Sequence, residues 1–424
     1  MDYRGDNMNK MKSNLDGVIP VAFAVPSSTA PSYNSSPSAP NRNYPTHGDP
    51  SVHQLKPEPS FKIPPASPMM SMSGTLNDNQ INQLVAQGFT RGLAKALGEN
   101  NMTFPLRFWV VDNSGSMAAP DGCQMISSNS NTHVKMVSCT RWKEIQGTVD
   151  YHAQIAGLVQ APTIFRLLNN PGINAGPQEF GVANKGEDMI LDDLQVAKNT
   201  MTRASPTGVT PLSNHIYDIR EQIAILNPQL QSEGRRVVIV LATDGLPTDQ
   251  YGEGGNQEKN AFVNAMKSLE GLPVWIVIRL CTNDESVVEF YNDLDAQLEL
   301  SIEVLDDFNG EAEEVYRVNP WLNYSLPLHR MREMGFQNRL FDLLDERKLT
   351  KGELREFCIF LFGIDKFDGV PESEVDFKGF LSAISNLLKT EKMQWNPVKK
   401  QVLPLLDLKK LNQLYGDAGG CTII

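Results

Sequence analysis

Residues Phe104–Met117 read FPLRFWVVDNSGSM, and this stretch decides the fold. Phe108 to Val111 are four uninterrupted apolar positions that stop at Asp112. Such a run predicts a strand buried on both faces of a parallel sheet and ending in a polar loop. Ligands meet sheets of this kind at that end of the strand. The loop sets Asp112, Ser114 and Ser116 at alternate positions, and Gly115 between the serines permits the tight bend that turns their oxygens inward. Three oxygen side chains so spaced suit a hard cation such as Mg2+, which takes oxygens in an octahedron and keeps some of its water.

Outward from this strand, helical and extended periods alternate. Arg141 to Gln160 reads as a helix, TIFRLL as a strand, Asp192 to Arg203 and Leu212 to Leu226 as helices. The strand RRVVIVLA, a helix from Glu258 to Leu269, the strand LPVWIVIRL, a helix from Glu285 to Leu298 and the strand SIEVL follow. That alternation predicts an α/β fold, a doubly wound and mainly parallel sheet of Rossmann-like type. Its ligand crevice lies where the carboxyl ends of neighbouring strands meet and strand order reverses. Asp112 and Asp244 each end a strand, so the fold can bring them together there.

Asp112-x-Ser114-x-Ser116 after an apolar strand is followed in order by Thr210, in SPTGVTPL, and by Asp244, in LATDGLPTD. This series resembles the metal-ion-dependent adhesion site of von Willebrand factor type A domains, over roughly Phe104 to Phe308. The resemblance implies a domain at residues 104–310 that holds Mg2+ or Mn2+. Ser114, Ser116 and Thr210 would be ligands, with Asp112 and Asp244 holding the ion directly or through water. It also implies a protein partner whose carboxylate completes the metal shell, with nothing turned over. Either motif alone is ordinary turn chemistry; the order of the three loops is what makes the pattern specific.

Two other classes compete with this reading. A strand ending in Asp112 beside Mg2+ also resembles the haloacid-dehalogenase phosphotransferases, in which that aspartate is the nucleophile. Those sites need a second acid two residues on, where this chain has Ser114. No GxxxxGK[ST], GxSxG or HExxH motif occurs, so an enzyme is not expected. A scaffold with an idle site would be favoured by a missing ligand, and all five positions are filled.

The remaining sequence bounds the setting. At 424 residues the chain has room for two or three domains, and 41% apolar content supports a substantial core. The net charge of -12 argues against a nucleic-acid partner, which needs a basic face. Five scattered cysteines, with no CxxC, fit a reducing compartment and exclude a zinc finger. Residues 1–75 are rich in Pro, Ser and Asn and predict disorder. The apolar run VIPVAFAV contains Pro20 and lacks a positive flank, so it is not read as a signal peptide; Arg4-Gly5-Asp6 is then a chance tripeptide. No stretch is as long as a membrane span.

Residues 76–103 predict helices whose Gln87-Gly88-Phe89 turn resembles that of a ubiquitin-associated domain lacking its third helix. A lead-in packed on the next domain is expected rather than ubiquitin binding. Residues 311–395 predict a helical, EF-hand-like domain, with Leu328 to Leu344 and Leu354 to Phe362 as helices. Two stretches resemble EF-hand loops. In the first, Asp342, Glu346, Leu349 and Glu353 fill loop positions, but Leu344 and Arg347 replace the position-three acid and the turn glycine. In the second, Asp368 to Gly379, Val370, Ser373 and Gly379 are the departures. Calcium is not expected, and a calcium-responsive adaptor is the alternative. The insert between Met117 and Arg141 predicts a β-hairpin walling one side of the metal loop, with Cys123 opposite Cys139 if the turn centres on Asn131 and no disulfide expected.

Residues 396–424 read as a flexible tail with a basic local excess, ending in Cys421-Thr422-Ile423-Ile424. That ending resembles a prenylation box, with Lys399, Lys400, Lys409 and Lys410 as the second, electrostatic signal. Leu405, Leu408, Leu411 and Tyr415 fall on one helical face and could instead pack on the preceding domain. The expectation is a cytoplasmic interaction protein, presented at the cytoplasmic face of a membrane when lipidated.

Overall fold

The computed structural model describes residues 75–127 and 134–416. The expectations for residues 1–75, for the hairpin tip at 128–133 and for Cys421 lie outside that range, Thr75 excepted. In chain order, helices α1 (Asp78–Ala86) and α2 (Arg91–Thr103) precede strand β1 (Leu106–Val111), the hairpin of β2 (Gly122–Ser127) and β3 (Val134–Cys139), and helix α3 (Arg141–Leu158). Strands β4 (Thr163–Leu167) and β5 (Glu179–Val182) follow, then α4 (Ile190–Arg203), α5 (Leu212–Glu233), β6 (Val237–Thr243), α6 (Asn256–Lys267), β7 (Val274–Leu280), α7 (Glu285–Gln297) and β8 (Ile302–Leu305). The chain then becomes mostly helical: α8 (Phe308–Val318), α9 (Leu326–Glu333), α10 (Arg339–Glu346), α11 (Lys351–Phe362), α12 (Phe377–Leu388), the short strands β9 (Gln394–Asn396) and β10 (Gln401–Leu403), and α13 (Leu408–Tyr415).

Six strands form the central sheet in the order β5-β4-β1-β6-β7-β8. All neighbours are parallel except β5, which runs antiparallel to β4. Strand order therefore reverses at β1, where ligand crevices form in open α/β sheets. Every residue of β1, β6 and β7 is buried because both faces are covered. Trp109, Val111 and Val240 pack with Ile145, Val149 and Met201 of α3 and α4. Phe108, Val110 and Ile239 point the other way, toward Ile216 and Ile223 of α5 and Phe262 of α6. The expected doubly wound α/β sheet is thus present; the short edge strand β5 carries no apolar run long enough to announce it.

The helices on either side of the sheet sequence form one module. Leu84, Phe89 and Leu93 of the N-terminal pair share a core with Trp321, Phe357 and Leu411. Residues 76–103 and 311–395 are therefore two halves of one packed unit. The flexible tail expected from residue 396 is corrected as far as 416: α13 is ordered, with Leu411 and Tyr415 buried. Its lysines are partly engaged as well, since Lys410 Nζ donates to Tyr316 Oη at 2.8 Å and Lys399 Nζ pairs with Asp407 at 3.5 Å. Charge composition suggested a solvated segment, but apolar residues at helical spacing outweigh it.

The helix expected over Leu328 to Leu344 is split into α9 and α10 at Gly335, whose φ is +76° and where a side chain would collide with Val238 of the sheet. Helix α5 runs past Leu226 to Glu233 in spite of Pro228 inside it. In the first EF-hand-like stretch Asp342 and Glu346 lie within α10, and Glu353 closes a capping box at the start of α11 while pairing with Arg347. No helix among the described residues is long and apolar enough to cross a membrane.

Candidate functional site

Strands β1 and β6 are parallel neighbours in register from Leu106↔Val237 to Val111↔Ala242. They end together, and the Asp112 N–H still donates to Ala242 O at 2.8 Å. Asp112 and Asp244 therefore emerge side by side although many residues separate them in sequence. Asp112 is fully buried, and both its oxygens are engaged. Oδ1 accepts from the Ser114 N–H at 2.8 Å and Oδ2 from the Thr243 hydroxyl at 2.7 Å. Burial, and secondarily the charge of Asp244, pushes the Asp112 carboxyl up to about 6, while the bonds from Thr243 and Ser114 pull the other way.

From there the polar groups form a chain. Ser114 Oγ lies 2.9 Å from Ser116 Oγ, and the Ser116 hydroxyl donates to Asp244 Oδ1 at 2.7 Å. The turn that allows this is a short 3-10 helix over Gly115–Ala118, which points Ser114 and Ser116 to the same side. A third loop closes over it. Gly115 N–H donates to Gly208 O at 3.2 Å and Thr207 N–H to Asn113 O at 2.7 Å. Asn169 ties both loops together: its N–H donates to Asn113 Oδ1, and its Nδ2 to Val209 O. Thr210, also buried, is held through its backbone by Thr248, and its hydroxyl faces Gly245.

All five residues read from the sequence thus lie at one end of the sheet. Four of them, Asp112, Ser114, Ser116 and Asp244, share one continuous hydrogen-bonded network, with Thr210 on the adjoining loop. Three participants were not foreseen. Thr243 orients Asp112; its position one residue before Asp244 was the available signal. Arg141 donates from Nη1 to Asp244 Oδ2 at 2.9 Å, and Asp121 receives the other edge of that guanidinium. Those pairings join distant segments and leave no periodic trace in the sequence.

The predicted hairpin is present as β2 and β3, paired antiparallel. Its register places Cys123 opposite Ser138 and Cys139 opposite Gly122, a one-residue correction to the expected Cys123–Cys139 pairing. Both thiols are free. Glu144 of α3 fastens the hairpin by accepting from the Cys123 N–H at 2.8 Å.

The donors here are all oxygens, two carboxylates complemented by hydroxyls, a set that suits hard cations and not soft ones. Among the described residues no group of three or more His, Cys, Asp and Glu side chains is placed to hold a metal ion. Compared with protein-family models and with curated proteins, the sequence matches none.

Proposed function

We propose that this chain is a Mg2+- or Mn2+-dependent protein-binding module of the von Willebrand factor type A kind, acting as an interaction or scaffold protein. The observation that carries the reading is the convergence of Asp112, Ser114, Ser116 and Asp244, with Thr210 on the adjoining loop, at one end of the sheet. Ligands about 2.1 Å from Mg2+ in an octahedron lie roughly 3 Å apart along its edges. Ser114 Oγ to Ser116 Oγ is 2.9 Å and Ser116 Oγ to Asp244 Oδ1 is 2.7 Å. Ser114 and Ser116 would supply direct oxygens. Thr210 would add a third from its own loop, and Asp112 and Asp244 would hold the ion directly or through water. When bound, the ion supplies a Lewis-acidic position that accepts an oxygen from outside the chain.

The residues favour holding over turnover. A nucleophilic aspartate must be presented to its substrate, whereas Asp112 is fully buried with one oxygen on the Ser114 N–H and the other on Thr243. Ser116 is exposed, and the loop that carries it runs on into the hairpin, a surface for a protein partner to read.

Calorimetry with Mn2+ tests the assignment. Ser116→Ala and Asp244→Ala should each weaken uptake by roughly 10- to 100-fold, on the scale of disturbed metal support, while far-ultraviolet circular dichroism stays unchanged. Proteins captured from an extract in Mg2+ should be released by chelator. Equal uptake by the wild type and both variants would remove the metal from this reading.

A further inference from the structure

We infer that Arg141 and Asp121 together set the net charge of the metal site, and so decide how strongly the loaded site demands an acidic ligand; this rests on the reading above. The Arg141 guanidinium spans two carboxylates. Nη1 donates to Asp244 Oδ2 at 2.9 Å, while Nε and Nη2 donate to Asp121 Oδ1 and Oδ2 at 2.7 and 2.6 Å. Side-chain exposure grades outward along this series, from 0% for Asp244 through 15% for Arg141 to 56% for Asp121. The guanidinium is thus a wall of the site, with a buried acid inside and a solvated one outside.

Its position is fixed by backbone. Arg141 is the first residue of α3, whose N-cap Thr140 accepts from the Lys143 N–H. The Arg141 N–H donates to Ala119 O at 3.0 Å. Gly122 lets the hairpin lie directly on this helix start, where an added Cβ would come within 2.8 Å of Arg141 N.

The electrostatic consequence follows from counting charges. Ionised Asp112 and Asp244 together cancel a divalent cation, so Arg141 leaves the loaded site with a positive excess. A carboxylate from a ligand neutralises that excess; an amide or hydroxyl does not. Asp121 offsets part of it, though water screens so exposed a group. Whatever that share, the two substitutions act in opposite directions. Removing the Arg141 charge makes the site one unit more negative, which favours the cation and disfavours the acid. Removing the Asp121 charge does the reverse. A merely structural role would weaken both kinds of binding together.

The test uses the full chain, Mn2+ as the metal and acetate as the ligand. Mn2+ affinity is read by calorimetry, and acetate by the fall in water-proton relaxation as it displaces water from the bound ion. Arg141→Gln should bind Mn2+ roughly three- to tenfold more tightly and acetate more weakly by a similar factor, the range expected for one unit charge in a partly solvated site. Asp121→Asn should move both the other way, and it alters an exposed side chain, so the test stands even if Arg141→Gln does not fold. Affinities that fall together in Arg141→Gln, or that do not move in Asp121→Asn, overturn the inference while leaving the metal reading intact. Absence of Mn2+ uptake by the wild type sinks the metal reading, and this inference with it.

Discussion

His152 sits on α3 where the sheet meets the helical module, and its Nε2 lies 2.9 Å from Glu333 Oε2. Burial pushes the imidazole down to about 4, because a second charge-bearing group costs more there than the Glu333 contact returns. The folded chain therefore binds fewer protons at His152 than the unfolded chain does between about pH 6.5 and 4. The stability this site confers is whole above that window and is lost as pH falls through it. Asp112 and Glu311, whose pKa values burial raises to about 6 and about 7, change stability in the opposite sense. The clean readout is thus a difference. His152→Gln keeps a donor for Glu333 but cannot titrate, so the stability of wild type relative to it should fall by about 1–3 kcal/mol from pH 7 to pH 4. Denaturant titrations at the two pH values check this, and a constant difference would refute it. The same scale explains what the sequence disclosed. Asp112, Ser114 and Ser116 were legible because five consecutive residues make that geometry by themselves. Arg141 and Asp121 were not, because their role depends on a hairpin folding back onto a helix start.

At the scale of elements, Gly92 shows how the two ends of the chain are joined. It lies on α2 against the C-terminal end of α11, and a Cβ there would come within 2.5 Å of Leu361 O and 2.6 Å of Gly363 N. Both obstacles are backbone, so a neighbouring side chain cannot turn aside to make room. The adjacent Thr90 hydroxyl donates to the same Leu361 carbonyl. Gly92→Ala, favourable for an isolated helix, should therefore destabilise the protein by about 1–3 kcal/mol through overpacking. An unchanged denaturation midpoint would contradict the close approach. Periodicity made the long helices and the buried strands legible, since each repeats its pattern over several turns or residues. It did not reveal the break at Gly335, because the requirement comes from Val238 on a different element. Nor did it give the exact hairpin register, which one residue in the turn is enough to change.

Across the whole molecule, composition divided the chain into a sheet domain at 104–310 with separate helical neighbours, and packing joins them. Ile155 and Val159, on and just after α3, belong to the core of the helical module. The buried guanidinium of Arg107, on β1, donates to Met334 O at 3.1 Å and to Asn101 Oδ1 at 2.9 Å, so one sheet residue is satisfied by both halves of the module. Arg279, on β7, pairs with Glu144 inside the sheet domain and with Glu333 of the module at 3.5 Å. Cutting at 104 and 310 would expose that apolar surface to water and remove the acceptors that the module offers Arg107 and Arg279. Stabilities of whole domains are only about 5–15 kcal/mol, so several such losses together are decisive. A fragment of residues 104–310 should accordingly be insoluble or melt well below residues 76–416, which should unfold in one transition seen alike by near- and far-ultraviolet circular dichroism. A soluble fragment with the melting temperature of the longer chain would show that the sheet stands alone and the helices only adorn it.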